Sequence, residues 1–433
     1  MPVRDIVVTA IVIAYLPVSL ARPWVGVLLW SWIGYMNPHR LAWGFAYDMP
    51  FAQMAAVVTL AGYVFTREKY PLPRTLEVLF LLLLWAVFLL STLAAFYPTE
   101  AWGHLVKVSK ILLMTFMTIL LCRDARKVQA LLWVIALSIG FFGLKGGIWA
   151  ISTGGTNQVL GPAGSFFEGN TEVGLALNMI LPLLLFLRRQ TTRPWLRHFL
   201  LAMFGFSIVA ILVTYSRGAL LGLAVVVVLL FMKSRAKLIA LVLLAVALPL
   251  AASTLPDHWF ERMQTIETYE HDPSARGRLT AWRVAYQIAL DHPFLGGGFR
   301  TFTRDVFARY GVPTSLDAHS IYFQVLGEHG FTGLAVYLAL IVSTMLSLRR
   351  LARAAPLDPA LGWIPECARM LEASLAGYLV SGAFLSLSYI DLYYHLVAVT
   401  IILKALADAP VAAPAAAPPP PPRPVAFPRL VRS

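Results

Sequence analysis

The sequence predicts an all-α polytopic membrane protein of about twelve transmembrane helices carrying one large polar loop outside the membrane. Three observations carry that expectation. Hydrophobic residues make up 59% of the chain and charged residues 13%, with a mean hydropathy of +0.72, whereas soluble domains hold about 25% charged residues. Apolar runs of helix length recur from Ile6 to Ala405, and in lipid only a helix or a closed barrel satisfies its own backbone. The period-two alternation of barrel strands is absent, so the runs read as helices. Third, the stretch 255–333 is polar and rich in Arg and His between apolar neighbours, the one long segment where chemistry in water is expected.

The elements follow in order. Residues 5–36 are broken by Pro17, Arg22 and Pro23; read as one net crossing they give about twelve helices with a cytoplasmic N-terminus, and as two crossings about thirteen. Helical runs then cover 76–93, 105–121, 128–151, 173–187, 199–213, 219–232 and 238–252. Most basic residues sit in the short connections 67–74, 123–127, 188–197, 233–237 and 349–353, which places these in the cytoplasm. The alternate connections near 96–103, 152–171 and 255–318 then face the periplasm. The chain divides into N-terminal membrane helices (1–254), a periplasmic loop (255–318), C-terminal membrane helices (319–407) and an Ala/Pro-rich tail (408–433) whose composition cannot pack a core.

The net charge of +13 follows from this bias and from contact with anionic lipids. No RNP-like motif, zinc knuckle or soluble basic domain points to nucleic acid. Cys122 and Cys367 fall at predicted cytoplasmic helix ends, so no extracytoplasmic disulfide is expected. No cleavage site follows the first apolar stretch, which is expected to stay as a helix.

Three features of the polar regions can carry chemistry. Tyr215-Ser216-Arg217-Gly218 stands at an extracytoplasmic helix junction, where an arginine beside backbone amides can hold a phosphate. Arg276-Gly277-Arg278 opens a segment with apolar residues at Leu279, Trp282, Ala285, Tyr286 and Ala289, the spacing of an amphipathic helix lying on the membrane or capping a cavity; Pro293 and Gly296-Gly297-Gly298 end it. Arg278 and Trp282 share a face one turn apart. Asp317-Ala318-His319-Ser320-Ile321-Tyr322 marks re-entry into the membrane, and a neutral imidazole near water is well suited to take a proton near neutral pH. There is no H-E-x-x-H, C-x-x-C or D-x-D spacing for a metal, no Walker loop and no G-x-S-x-G elbow. The scattered His104, His258, His271, His292 and His329 show no ligand spacing, and a metal-free site is expected, with no cofactor.

Taken in order, Ser216-Arg217-Gly218, then Arg278 with Trp282, then Pro293-Phe294-Leu295-Gly296-Gly297-Gly298-Phe299, then His319 through Gly330 resemble the O-antigen ligase and polymerase superfamily over about residues 160–340. Ser320 stands where that family more often has Asn. The N-terminal third, at residues 35–41 and 43–47, resembles the branch of exosortase-associated O-glycosylation ligases. The resemblance implies a GT-C type glycosyltransferase of the inner membrane that takes its glycan from an undecaprenyl-pyrophosphate-linked donor and passes it to lipid A-core or, for the second branch, to a protein. It further implies His319 as general base and Arg217 and Arg278 as the groups facing the pyrophosphate, with Arg276, Tyr215, Ser216, Trp282, Ser320 and Tyr322 binding substrate. Independently, a departing pyrophosphate builds negative charge that permanently charged arginines can stabilise. Arg276 rivals Arg278 for that contact, and Glu168, Asp317 and Glu328 are candidate orienters of His319. A polymerase would use the same donor. A transporter is the reading from another class, but no internal repeat is visible and the polar motifs gather at one face.

Overall fold

The computed structural model describes residues 3–233, 237, 256, 259, 273–355 and 358–408, and every regular element among them is helical. The first two, α1 (Val3–Ala21) and α2 (Pro23–Met36), are separated only by Arg22, with Pro23 opening the second. The chain turns back there. The Arg4 guanidinium donates to Leu41 O (3.3 Å), and the buried Asp5 carboxylate accepts from the amides of Gly44 (3.1 Å) and Ala46 (2.9 Å). The start of α1 therefore lies beside the segment that follows α2. This corrects the expected single net crossing: Pro23 closes an antiparallel hairpin instead of kinking one long helix, and the pair returns the chain to the face on which α1 begins. Next comes α3 (Phe51–Phe65), packed so closely on this pair that a Cβ at Gly62 would stand 2.6 Å from Leu20 O.

The following helices are α4 (Leu76–Leu93), α5 (Pro98–Leu121), α6 (Ala125–Ser152), α7 (Asn170–Gln190), α8 (Pro194–Leu212) and α9 (Arg217–Lys233). Each contains the apolar run expected for it, except that α8 ends at Leu212, one residue short of its run. All but α4 extend beyond the run, because capping chemistry rather than hydropathy sets their starts. The Asp124 side chain caps α6 by accepting from Lys127 N (2.9 Å), and Pro98 and Pro194 occupy first-turn positions where a missing N–H costs nothing. The run expected at 238–252 lies outside the described residues, as do the start of the expected loop and all but the first residue of the tail.

Beyond that gap come α10 (Pro273–Asp291), α11 (Arg304–Arg309), α12 (Ile321–Arg353), α13 (Ile364–Gly382) and α14 (Asp391–Ala407). Among the described residues seven helices, α1, α4 to α8 and α12, are long and apolar enough to cross a membrane. The amphipathic helix expected in the loop is present as α10, with its phase corrected. Its buried face is Ala281, Val284, Ala285, Ile288 and Ala289, while Leu279 and Tyr286 are exposed. With α11 it closes a small satellite core through Val306, Phe307 and Val312.

Two ends of the bundle are distinct. At one, the basic connections are tied by ion pairs: Lys127 to Glu68 (2.8 Å), Arg189 to Glu366 (2.6 Å), Arg349 to Glu372 (2.9 Å) and Lys404 to the buried Glu77 (2.8 Å). At the other, residues 37–50, 94–97, 153–169, 213–216, 292–303 and 383–390 meet. There Phe96 N donates to Gly297 O (2.9 Å), Val159 N to Val213 O (3.1 Å) and Tyr215 Oη to Gly155 O (2.5 Å). Between the ends, the buried Asn178 of α7 donates to Ala219 O (2.7 Å) and Ser381 Oγ (3.2 Å), joining α7, α9 and α13. An interhelical bond of this kind holds membrane helices that have no hydrophobic force of their own.

Candidate active site

The site is built on a break in α12. Gly330 has φ 66° and ψ −169° inside the helix, a conformation open to glycine and costly for residues with a Cβ. The break frees the carbonyls of Gly327 and Glu328 from helical partners. The glycine loop that follows α10 supplies replacements: Gly297 N donates to Gly327 O (2.9 Å) and Gly298 N to Glu328 O (2.8 Å), while Phe331 N donates back to Pro293 O (2.8 Å). The P-x-x-G-x-G-F run is thus a docking clip for a broken helix, and its glycines are there because the backbones touch. A Cβ at Gly298 would stand 2.2 Å from Ala95 Cβ.

The clip also fixes acid and hydroxyl groups. The Glu328 carboxylate accepts from Arg300 N (3.0 Å) and from Tyr389 Oη (2.6 Å), and the Tyr389 hydroxyl and Ser91 Oγ flank the two ring nitrogens of buried His329 at 2.9 and 2.8 Å. His329 is therefore a core histidine with both nitrogens occupied.

His319 stands immediately before α12 with φ 44°. Three contacts hold that strained backbone. His319 N donates to Ser386 Oγ (2.8 Å), Trp282 Nε1 donates to Ala318 O (2.8 Å), and the Trp282 ring stacks on Phe323 with centroids 4.9 Å apart. The imidazole lines a cavity of about 580 Å³ together with Asp317, Gln324, Glu328, Ser386, Tyr389 and Glu172. A second wall comes from one stripe of α5, namely Tyr97, Glu100, His104, Lys107, Val108 and Ile111, and runs about 21 Å at the helical rise. Partial burial is the main cause that pushes the imidazole below its ordinary pKa; Asp317 opposes it, Arg278 adds to it and Glu172 opposes it. The ring is neutral at pH 7, the state a base requires.

The predicted residues separate into groups. His319 lines the cavity, Arg278 lies within electrostatic reach of it, and Trp282 positions its backbone. Arg217 opens α9, and its neighbour Gly218 packs against Phe384, two residues from the Ser386 that holds His319. Arg217 is not among the cavity-lining residues, so it joins the site at one remove. Tyr215 has φ 54° and is anchored to Gly155, Ser216 Oγ accepts from Ala219 N (3.2 Å), and Ser320 is the buried first residue before α12. These three shape backbone. The Tyr322 hydroxyl donates to Leu379 O (3.1 Å) on α13, and Arg276 is exposed on α10. Of the candidate orienters, Asp317 and Glu328 line the cavity, while Glu168 accepts from Gly164 N (2.9 Å). Sequence reading missed Glu172, Lys107, Arg300 and Tyr389. For Lys107 a signal existed: an ionisable residue inside an apolar helix marks function by default. Among the described residues no three His, Cys, Asp or Glu side chains are grouped to hold a metal.

Fold and site together define a polytopic membrane protein with a polar chamber at one end, lined by a neutral histidine that has Arg278 within electrostatic reach. Residues 199–338 match the O-antigen ligase family, and residues 3–192 match a family of unknown function (DUF5935). The first match contains His319, Arg278, Arg217 and the other predicted site residues, and supports, over that segment, the resemblance to the O-antigen ligase superfamily of membrane glycosyltransferases. No curated protein matches the chain.

Proposed function

We propose that this protein is an O-antigen ligase-type glycosyltransferase. It transfers a glycan en bloc from undecaprenyl pyrophosphate to lipid A-core oligosaccharide at the periplasmic face of the inner membrane, with inversion and without a metal. The observation that carries this reading is the neutral His319 on the wall of a polar cavity, with Arg278 in electrostatic reach and both inside the ligase-family segment. In the proposed step His319 takes the proton of an acceptor hydroxyl while its oxygen bonds to the anomeric carbon. The bond from that carbon to the pyrophosphate oxygen breaks, and the electron pair leaves with the lipid pyrophosphate. Arg278, with Arg217 at one remove from the cavity, balances the charge that builds there. Trp282 and Ser386 hold the base in place by fixing the backbone on either side.

The resemblance of residues 35–47 to O-glycosylation ligases favours one variant, the same chemistry with a protein hydroxyl as acceptor. The test is transfer from an undecaprenyl-pyrophosphate donor to lipid A-core in liposomes containing a chelator, comparing the parent with His319→Ala at matched folding. Chelator-resistant transfer that falls by about 10² to 10⁴ in the variant supports the reading. Full activity of the variant removes His319 from the role, and an inactive parent shifts the assignment to a protein acceptor, polymerisation or transport.

A further inference from the structure

The cavity has a second basic cluster that the transfer chemistry does not use. Lys107 and His104 lie one turn apart on α5, and Arg300 follows the glycine clip with a left-handed backbone, φ 63°. All three line the same cavity as His319. They sit within electrostatic reach of one another, the Arg300 charge acting on both His104 and Lys107. Among the described residues neither Lys107 nor Arg300 makes an ion pair with a carboxylate. The Lys107 ammonium rests over the Phe166 ring at 4.0 Å, and the carboxylate that acts on it through space, Asp391, is not bonded to it. Glu100, Asp305, Glu172, Asp317 and Glu328 also line the chamber; Glu328 accepts from the Arg300 amide (3.0 Å) and feels its charge, but none of the five is ion-paired with the Lys107 or Arg300 side chain among the described residues.

A guanidinium, an amine and an imidazole gathered on one chamber wall leave cationic groups near one another, and like charges repel. Holding Arg300 in the left-handed region adds backbone strain. A compact anion seated between the groups would turn that repulsion into attraction, with Arg300 able to grip it through two parallel N–H donors.

We infer that His104, Lys107 and Arg300 form a second anion subsite, which binds a phosphate group of the acceptor while Arg278, within electrostatic reach of His319, faces the donor pyrophosphate. The assignment to the acceptor rests on the ligase reading, since a second cationic cluster in the chamber of the base, besides the arginine in reach of it, implies a second anionic substrate. Binding is measured without turnover, so an absence of transfer activity and a failure of this inference are separate outcomes.

The experiment uses the full-length protein in nanodiscs. It measures affinity for phosphorylated lipid A-core, for the same glycolipid after phosphatase treatment, and for undecaprenyl pyrophosphate. The proteins compared are the parent, Lys107→Gln, Arg300→Gln and Arg278→Gln, with matched melting temperatures. The parent is expected to bind the phosphorylated acceptor at least about ten-fold more tightly than the dephosphorylated one, equivalent to about 1.4 kcal/mol. Lys107→Gln and Arg300→Gln are each expected to abolish most of that difference while leaving donor affinity unchanged, and Arg278→Gln to show the reverse pattern. Lys107→Arg, which keeps the charge, restores the preference. Parent-like discrimination in both Gln variants overturns the inference. So does a loss confined to undecaprenyl pyrophosphate, which would assign the cluster to the donor, or a parent indifferent to phosphorylation.

Discussion

His319 shows how a local strain becomes a chemical property. A left-handed backbone at a residue with a Cβ costs about 1–3 kcal/mol, and it persists here because Ser386, Trp282 and the start of α12 each fix one side of it. Burial then lowers the imidazole pKa from its ordinary 6.5, Asp317 working against that shift. Protonation switches off a base, so the acid limb of kcat/KM is expected below pH 6.5 in the parent. Asp317→Asn removes the carboxylate that stabilises the imidazolium, and the limb is expected to move to still lower pH; a pH profile of transfer in which it moves upward would refute the electrostatic argument. His319 and Arg278 were legible in the sequence because their motifs are contiguous. Glu172 was not, since only tertiary packing brings the first turn of α7 to the cavity of His319, and Lys107 showed only as an ionisable residue in an apolar helix, with nothing to say which cavity it faces.

At the scale of elements, the two glycine-rich motifs are one device. The loop at 293–299 and the Gly330 break were read separately, one as a helix stop and the other as part of a re-entry motif, yet each supplies what the other lacks in hydrogen bonds. Gly330→Ala places a Cβ 2.6 Å from Pro293 O at φ 66°. It is expected to lower the melting temperature in detergent and to expose residues 292–300 to protease. Gly103→Ala is the control: a Cβ there meets nothing within 4 Å on α5, and helix propensity predicts a gain of up to about 1 kcal/mol. Equal melting temperatures for parent and Gly330→Ala would show that the clip bears no load. Tyr389→Phe tests the groups beneath it. The change strips a hydroxyl from both Glu328 and His329, and leaving buried partners unsatisfied costs about 1–3 kcal/mol, read as a lower denaturation midpoint. The spans themselves were legible because lipid demands long apolar runs. The phase of α10 was not. In a membrane protein large apolar side chains also face outward, so Leu279 and Tyr286 satisfy the helical period without marking the packed face.

For the whole molecule, the decisive quantity is which end of the bundle faces which compartment. The sequence supplied the sign, through Lys and Arg in alternate connections, but not the direction of the first hairpin: Pro17, Arg22 and Pro23 announce a break without saying whether the chain continues or returns. The contacts of Arg4 and Asp5 with residues 41–46 show that it returns. The connection after α2 and the loop before α12 therefore belong to one end of the bundle, and the α7–α8 connection to the other. Single cysteines can test this, because native Cys122 and Cys367 are buried and give little background. Asp48, Ser315 and Thr192 are exposed positions in these three connections. With the basic end in the cytoplasm, a membrane-impermeant maleimide added to intact spheroplasts is expected to label Asp48→Cys and Ser315→Cys, and to reach Thr192→Cys only after permeabilisation. Labelling of Ser315→Cys without Asp48→Cys would contradict this shared end of the bundle, since it would put the two connections on opposite sides. Labelling of Thr192→Cys alone in intact spheroplasts would invert the molecule and put the His319 chamber in the cytoplasm, away from a periplasmic acceptor.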